Sequence, residues 1–222
     1  MTGHRSFPYR KGQPDPAILE PELASIAETY DRIYVLFWGD AQRDPQHVVE
    51  RWLDTHTFKA GEEWVGDVRF VTYAVPSGES GQSVPAGYAF EATNDTRLTL
   101  DSYAYQPQAA QPGDIVELQL QWSADTVVEQ PYKVFVHLID NAGNVVAQRD
   151  SEPVGGSRPT TTWEAGETII DNYGLLIPLG TSPGQYRLIV GLYNPFEPSI
   201  RLPVTINGQV LDAAPLGTIT VH

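Results

Sequence analysis

Cysteine is absent from the 222-residue chain, which excludes disulfides, thiolate metal sites and cysteine nucleophiles. Long hydrophobic runs are missing too. No stretch approaches the ~18 consecutive apolar residues of a membrane span. No apolar segment follows Met1, so no signal peptide is expected. The only methionine is Met1, which reads as a start residue added to an excised fragment. Basic residues are scarce: 14 Lys and Arg stand against 28 Asp and Glu, a net charge of −14. A nucleic-acid binder needs clustered cations to neutralise phosphates, and an anionic lipid surface needs the same, so both partners are disfavoured. The nucleophile elbow Gly-x-Ser-x-Gly, the dinucleotide fingerprint Gly-x-Gly-x-x-Gly and the phosphate-binding P-loop do not occur. The five histidines (His4, His47, His56, His137, His222) show no tight metal-binding spacing.

What is present suffices for a core, because 41% of residues are hydrophobic. Residues 1–16 read as an irregular lead-in with Gly3, Pro8, Gly12, Pro14 and Pro16. Helical spacing of Leu19, Leu23, Ile26, Ala27 and Tyr30 follows, with Pro21 placed in the first turn. Ile33 to Trp38 is a non-alternating apolar run, as in a strand covered on both faces. Asp44-Pro45 reads as the start of a second helix, striped with Val48, Val49, Trp52 and Leu53. Two β-like runs, Thr57–Ala60 and Val68–Val75, complete a small α/β unit over 17–76. The Ser/Gly-rich stretch 77–87 is the linker candidate.

From residue 88 the hydrophobic period changes to two. Val116, Leu118, Leu120 and Trp122 alternate with Glu117, Gln119 and Gln121. Tyr132–Ile139 and Tyr186–Tyr193 behave alike, and turn signals such as Asp140-Asn141-Ala142-Gly143 and Asn207-Gly208 lie between the runs. Eight to ten short strands over 88–222 predict an antiparallel β-sandwich, jelly-roll-like or immunoglobulin-like. The fold class is therefore α+β: a small α/β unit, then the sandwich. Residues 1–80 carry 8 basic and 13 acidic residues and residues 81–222 carry 6 and 15, so the sandwich is no polyanion receptor.

Three resources for chemistry remain. His137 sits mid-strand and reads as a hydrogen-bonded, half-buried residue, with a catalytic base as the sharper alternative. Asp150 and Glu152 lie two apart and Asp171 follows, which offers oxygens for a Ca²⁺ ion or carboxyls for glycoside hydrolysis; solvated acidic loops are the plain alternative. Trp163 and Tyr173 flank Glu164, Glu167 and Asp171. An exposed ring there would stack on a sugar while the carboxylates take its hydroxyls; a ring packed into the sandwich end would not.

Two segments carry a resemblance. One is Tyr34-Val35-Leu36-Phe37-Trp38-Gly39-Asp40 with Asp44-Pro45 and Val49-Glu50-Arg51-Trp52-Leu53. The other joins Tyr132–Leu138, Ala147-Gln148-Arg149-Asp150, Pro159–Glu167, Gly184–Leu188 and Val190–Tyr193. Together they resemble the extracytoplasmic C-terminal region of bacterial multi-pass membrane glycosyltransferases of the protein-mannosyltransferase-like type. The resemblance implies a non-catalytic accessory region outside the cytoplasm, tethered through the membrane-embedded part of the same polypeptide. A glycan or glycosylation acceptor is then the expected partner. In such enzymes the catalytic acids belong to the membrane part, so no catalytic residue is carried over and no resident cofactor is implied. A purely structural or protein-interaction sandwich and a glycoside hydrolase are the competing expectations.

Overall fold

The computed structural model describes residues 15–76, 81–92 and 96–222. Most of the expected lead-in and residues 77–80 of the expected linker lie outside them. Helix α1 (Pro16–Ala27) starts five residues before Pro21, because Asp15 accepts a hydrogen bond from Ala17 N and Pro16 fills the first helical position. Pro21 therefore sits inside the helix, where it removes one intrahelical donor. Strand β1 (Arg32–Trp38) and the short helix α2 (Asp40–Arg43) follow. Helix α3 (Val48–His56) begins four residues after Asp44. Asp44 still caps it, since its two carboxylate oxygens take Val48 N at 3.0 Å and Val49 N at 3.1 Å. Strands β2 (Phe58–Val65) and β3 (Val68–Ala74) complete an antiparallel sheet of order β1-β3-β2.

Helices α1 and α3 cover one face of that sheet, burying Leu23, Phe37, Val49, Leu53, Val71 and Tyr73. The opposite face is not covered throughout. Tyr34, Leu36 and Trp38 of β1 are exposed, which corrects the expectation of a strand buried on both sides. Apolar composition mimicked double burial; among the described residues the second layer reaches only one end of the sheet.

The rest of the chain is a two-sheet β-sandwich. Strands β4 (Val84–Glu91), β5 (Arg97–Gln106), β6 (Ala109–Ala110), β7 (Ile115–Ala124), β8 (Lys133–Ile139) and β9 (Val145–Ser151) come first. Strands β10 (Ile169–Leu176), β11 (Gly184–Tyr193), β12 (Val204–Ile206), β13 (Gln209–Leu211) and β14 (Ala214–Val221) follow. One sheet has the order β10-β7-β5-β4-β12-β13 and the other β6-β14-β11-β8-β9. Strand β4 begins inside the stretch read as linker. The alternation read from the sequence is the observed one: Val116, Leu118, Leu120 and Trp122 point into the core, as do Val134, Val136 and Leu138. Each such side chain contributes roughly 1.5–3 kcal/mol by leaving water.

The two units touch without sharing a ladder. Strand β2 lies across β10, where a Cβ on Gly174 would fall 2.7 Å from Ala60 Cβ and 2.9 Å from the Phe58 carbonyl oxygen. Asn172 Nδ2 donates to Thr55 O at 3.1 Å and Arg32 donates to Gly113 O at 3.2 Å. Phe58 and Ala74 pack on Ile115.

Candidate functional site

Charged side chains of both units converge at the junction between them. Helix α3 places Glu50 and Asp54 one turn apart on the side facing the sandwich. Strands β2 and β3 bring Lys59, Glu62, Arg69 and Tyr73 against them. From the sandwich come Lys133, Arg149, Asp150, Ser151 and Glu152, with Gly155, Gly156 and Ser157 after them. All of these but the buried Tyr73 line an open cleft of about 500 Å³.

Its floor is a buried ion network. Arg69 forks onto both oxygens of Glu50. Lys59 Nζ donates to Glu50 Oε1 at 2.7 Å and lies 3.3 Å from Asp54 Oδ1. Burial works to raise the Glu50 carboxyl, but the Arg69 hydrogen bonds and the charge of Lys59 outweigh it and hold the group at about 2. Asp54 goes the other way: burial lifts it to about 6, and Lys59 offsets only part of that. Tyr73 donates its hydroxyl to Asp54 Oδ1 at 3.1 Å, and burial beside that carboxylate pushes the phenol far upward.

Behind the network sits Asp171 of β10, fully buried. Its Oδ1 accepts from Val154 N at 2.8 Å and the Tyr173 hydroxyl also acts on the carboxyl, while its Oδ2 has no partner of good hydrogen-bond geometry among the described residues. Burial raises its carboxyl to about 7. The segment covering it is strained. Val154, Gly155 and Gly156 have φ of 53°, 60° and 93°. A β-branched residue in the left-handed region is an outlier that costs on the order of 1–3 kcal/mol. The Val154 side chain is buried and its N–H is bonded to Asp171, so packing and hydrogen bonding fix the conformation together. Gly155 is required by space as well as angle, because a Cβ there would lie 1.9 Å from Asp54 Oδ2.

Among the described residues, one group of three ligand atoms lies within 4.8 Å of one another: those of Asp40, His47 and Glu50. Arg69 fills the role a cation would play there, since it bonds Glu50 and stands 3.5 Å from Asp40 Oδ2. The expected Ca²⁺ set is not assembled. Asp150 turns to His137 Nε2 at 3.1 Å, Asp171 is sealed behind Val154, and Glu152 borders the cleft.

The aromatic site expected around Trp163 is corrected as well. Trp163 is 2% exposed, and its indole N–H donates to Arg158 O at 3.0 Å. Tyr173 is fully buried and accepts a hydrogen bond from Ser151 Oγ at 3.3 Å. Both belong to the sandwich core, so neither ring offers a stacking face. Glu167 takes two bonds from Arg158 and one from Glu164 N, which hold its carboxyl below the usual range. Glu164 is exposed. His137 fits the plainer reading: it is buried, bonded to Asp150, and tilted against Phe135 at 4.8 Å.

No family model matches the chain. No curated protein matches it either. Solved structures do, at low identity. The C-terminal domain of wzt is 12% identical with a TM-score of 0.38, over 65% of this chain and 78% of that one. A CARDB domain from Pyrococcus furiosus, solved in complex with di-metal ions, is 12% identical with a TM-score of 0.33, over 62% and 97%. A Niemann-Pick type C2 protein from the Japanese carpenter ant is 8% identical with a TM-score of 0.33, over 65% and 98%. Nothing about a ligand of this chain follows from these likenesses.

Sequence reading missed Glu50, Asp54, Lys59, Arg69 and Arg149. A signal was there. Glu50 and Asp54 stand at i and i+4, a repulsive pair on an isolated helix, beside the apolar Val49 and Leu53. Such a pair next to a buried stripe calls for cations from elsewhere in the fold.

Proposed function

We propose that this chain is a non-catalytic binding region whose junction cleft takes a glycan or glycosylation acceptor. The carrying observation is the mixed sign of the lining. Arg51, Lys133 and Arg149 supply donors, while Glu62, Asp150 and Glu152 supply acceptors. A sugar hydroxyl donates and accepts at once, so such a lining suits it better than a lining of one sign. Trp64 lies on the Glu62 side of β2, one pleat further along, and is 64% exposed. Its ring would receive the apolar face of a sugar extending from the cleft. The most shielded carboxyls are already committed, Glu50 to Arg69 and Lys59, and Asp171 to Val154, which leaves them poorly placed as acid and base.

Following the resemblance of its sequence, the region acts outside the cytoplasm beside the membrane-embedded part of the same polypeptide. Among the described residues no helix is long and apolar enough to cross a membrane. A second reading, an interaction module without a small ligand, draws support from the open apolar face of the three-stranded sheet.

A glycan array followed by calorimetry on the best hits tests the proposal. Arg149→Ala, Glu62→Gln and Trp64→Ala should each weaken binding about tenfold, the equivalent of about 1.4 kcal/mol. Absence of binding across the array would sink the glycan reading. Sugar transfer or hydrolysis lost on Glu152→Gln would make the cleft an active site instead.

A further inference from the structure

Among the described residues, the outer face of the three-stranded sheet is covered at one end only, where Ile115 meets Phe58 and Ala74. Beyond that end Tyr34, Leu36 and Trp38 on β1 and Val65 on β2 stay exposed, Leu36 at 69% and Val65 at 70%. Tyr34 stacks on Phe70 with ring centroids 5.7 Å apart, so the row is an ordered surface. Strand β1 is also an edge: β3 is its one strand partner among the described residues. Sheet edges are normally protected by charges, prolines or bulges. From Ile33 to Trp38 this edge has no charge, no proline and no glycine, and its register with β3 runs without a shift.

We propose that the free edge of β1 pairs antiparallel with β1 of a second copy of this chain, joining two three-stranded sheets into one of six strands. This goes beyond the glycan reading and does not depend on it. Directly opposed residues share a face, so a symmetric pairing must centre on a residue. Centring on Val35 engages the whole strand. Arg32 then faces Trp38 of the second copy, Ile33 faces Phe37, and Tyr34 faces Leu36. The exposed apolar row becomes continuous across the two-fold axis. Each Arg32 meets a site of mixed charge at the far end, where Arg43 already lies 4.5 Å over the Trp38 ring. Trp38 Nε1 donates to Asp67 Oδ2 at 2.8 Å, so each Arg32 meets the Trp38–Asp67 pair of the other copy. Arg32 uses a donor on Gly113 O, and a guanidinium has five. The net charge of −14 on each copy opposes association, so added salt should strengthen it by screening.

Sedimentation velocity on the full chain over the micromolar range, with amide exchange followed along β1, tests the pairing. A monomer–dimer equilibrium is expected, tightening with salt, with β1 amides more protected as concentration rises. Leu36→Lys should weaken the dimer at least tenfold and abolish that concentration dependence. Val65→Lys, on the same face but the far strand, should leave the dimer intact. Both positions are exposed, so melting temperatures taken at concentrations where the parent is monomeric should hardly move, and a loss of fold would be visible separately. A monomer throughout the range would overturn the proposal. So would equal damage from Val65→Lys, which would mean stacking of faces. So would a monomer binding phosphatidylcholine vesicles through Leu36, which would make a lipid surface the occupant.

Discussion

At the residue scale, Asp171 is fully buried, with Val154 N on one oxygen and the Tyr173 hydroxyl beside the carboxyl. Its carboxyl is lifted from 3.8 to about 7, and that of Asp54 from 3.8 to about 6. In the fold each keeps a proton that the unfolded chain releases above about pH 4. Their contribution is fully present below pH 3.8 and is lost as pH climbs through about 6 and about 7. Glu50 runs oppositely. Lowered from 4.5 to about 2, it contributes above pH 4.5 and loses that contribution as pH falls toward 2. Unfolding free energy from urea melts should therefore decline between about pH 4 and about pH 7 and level off above, with a slope of up to about 1.4 kcal/mol per pH unit for each carboxyl. Asp171→Asn keeps an oxygen for Val154 N and should flatten much of that decline. A variant that declines in parallel with the parent would show that another group is titrating. Trp163 gives a second outcome at this scale. As a core side chain, its replacement by Ala should cost roughly 3–5 kcal/mol of stability in a denaturant melt.

At the element scale, the covering segment and Asp54 act as one unit. Gly155→Ala places a methyl group on the Asp54 carboxylate and should destabilise strongly, while Gly155→Ala with Asp54→Ala should cost less than the two single changes added together. Additive costs in that double-mutant cycle would show that the two positions do not press on each other. The same segment shows why part of the site was illegible in the sequence. Period-two alternation made the strands around Trp122 and Val136 readable, because a half-buried strand writes its burial into every second residue. Loops carry no such code. Thr160 to Trp163 does leave the sheets, as its composition suggested, but Thr160 Oγ1 accepts from Tyr132 N and donates to Gln130 O. Those bonds fold the loop over the sandwich end and bury the ring. Strand β1 erred in the other direction. Tyr34, Leu36 and Trp38 are as apolar as core residues, and whether a layer covers them depends on where the sandwich stops. The junction network was hidden because its members come from α3, β2, β3 and β9, far apart in the chain. Only the Glu50–Asp54 spacing hinted at it.

At the scale of the whole molecule, the sandwich has its own core, distinct from the one beneath α1 and α3. Residues 81–222 produced alone should therefore fold cooperatively. In the full chain, Gly174→Ala should loosen the contact between units without unfolding either one, because the new methyl group meets Ala60 and the Phe58 carbonyl. Limited proteolysis would register the loosening as faster cleavage between the units, and an unchanged digestion pattern would mean that the backbones separate easily at that point.

The crossing of β2 over β10 also has a mechanical meaning. Every strand of the sandwich is held by a ladder, whereas the α/β unit is held to it by side-chain packing, isolated hydrogen bonds and the close approaches at Gly155 and Gly174. Packing contacts of this kind yield under tension sooner than a sheared β-ladder. Stretched by its two ends, the molecule should first peel off the segment up to Val75, releasing about 60 residues, or roughly 200 Å of chain, before the sandwich yields. The sandwich would then bear the load while the small unit in front of it extends as a compliant spring.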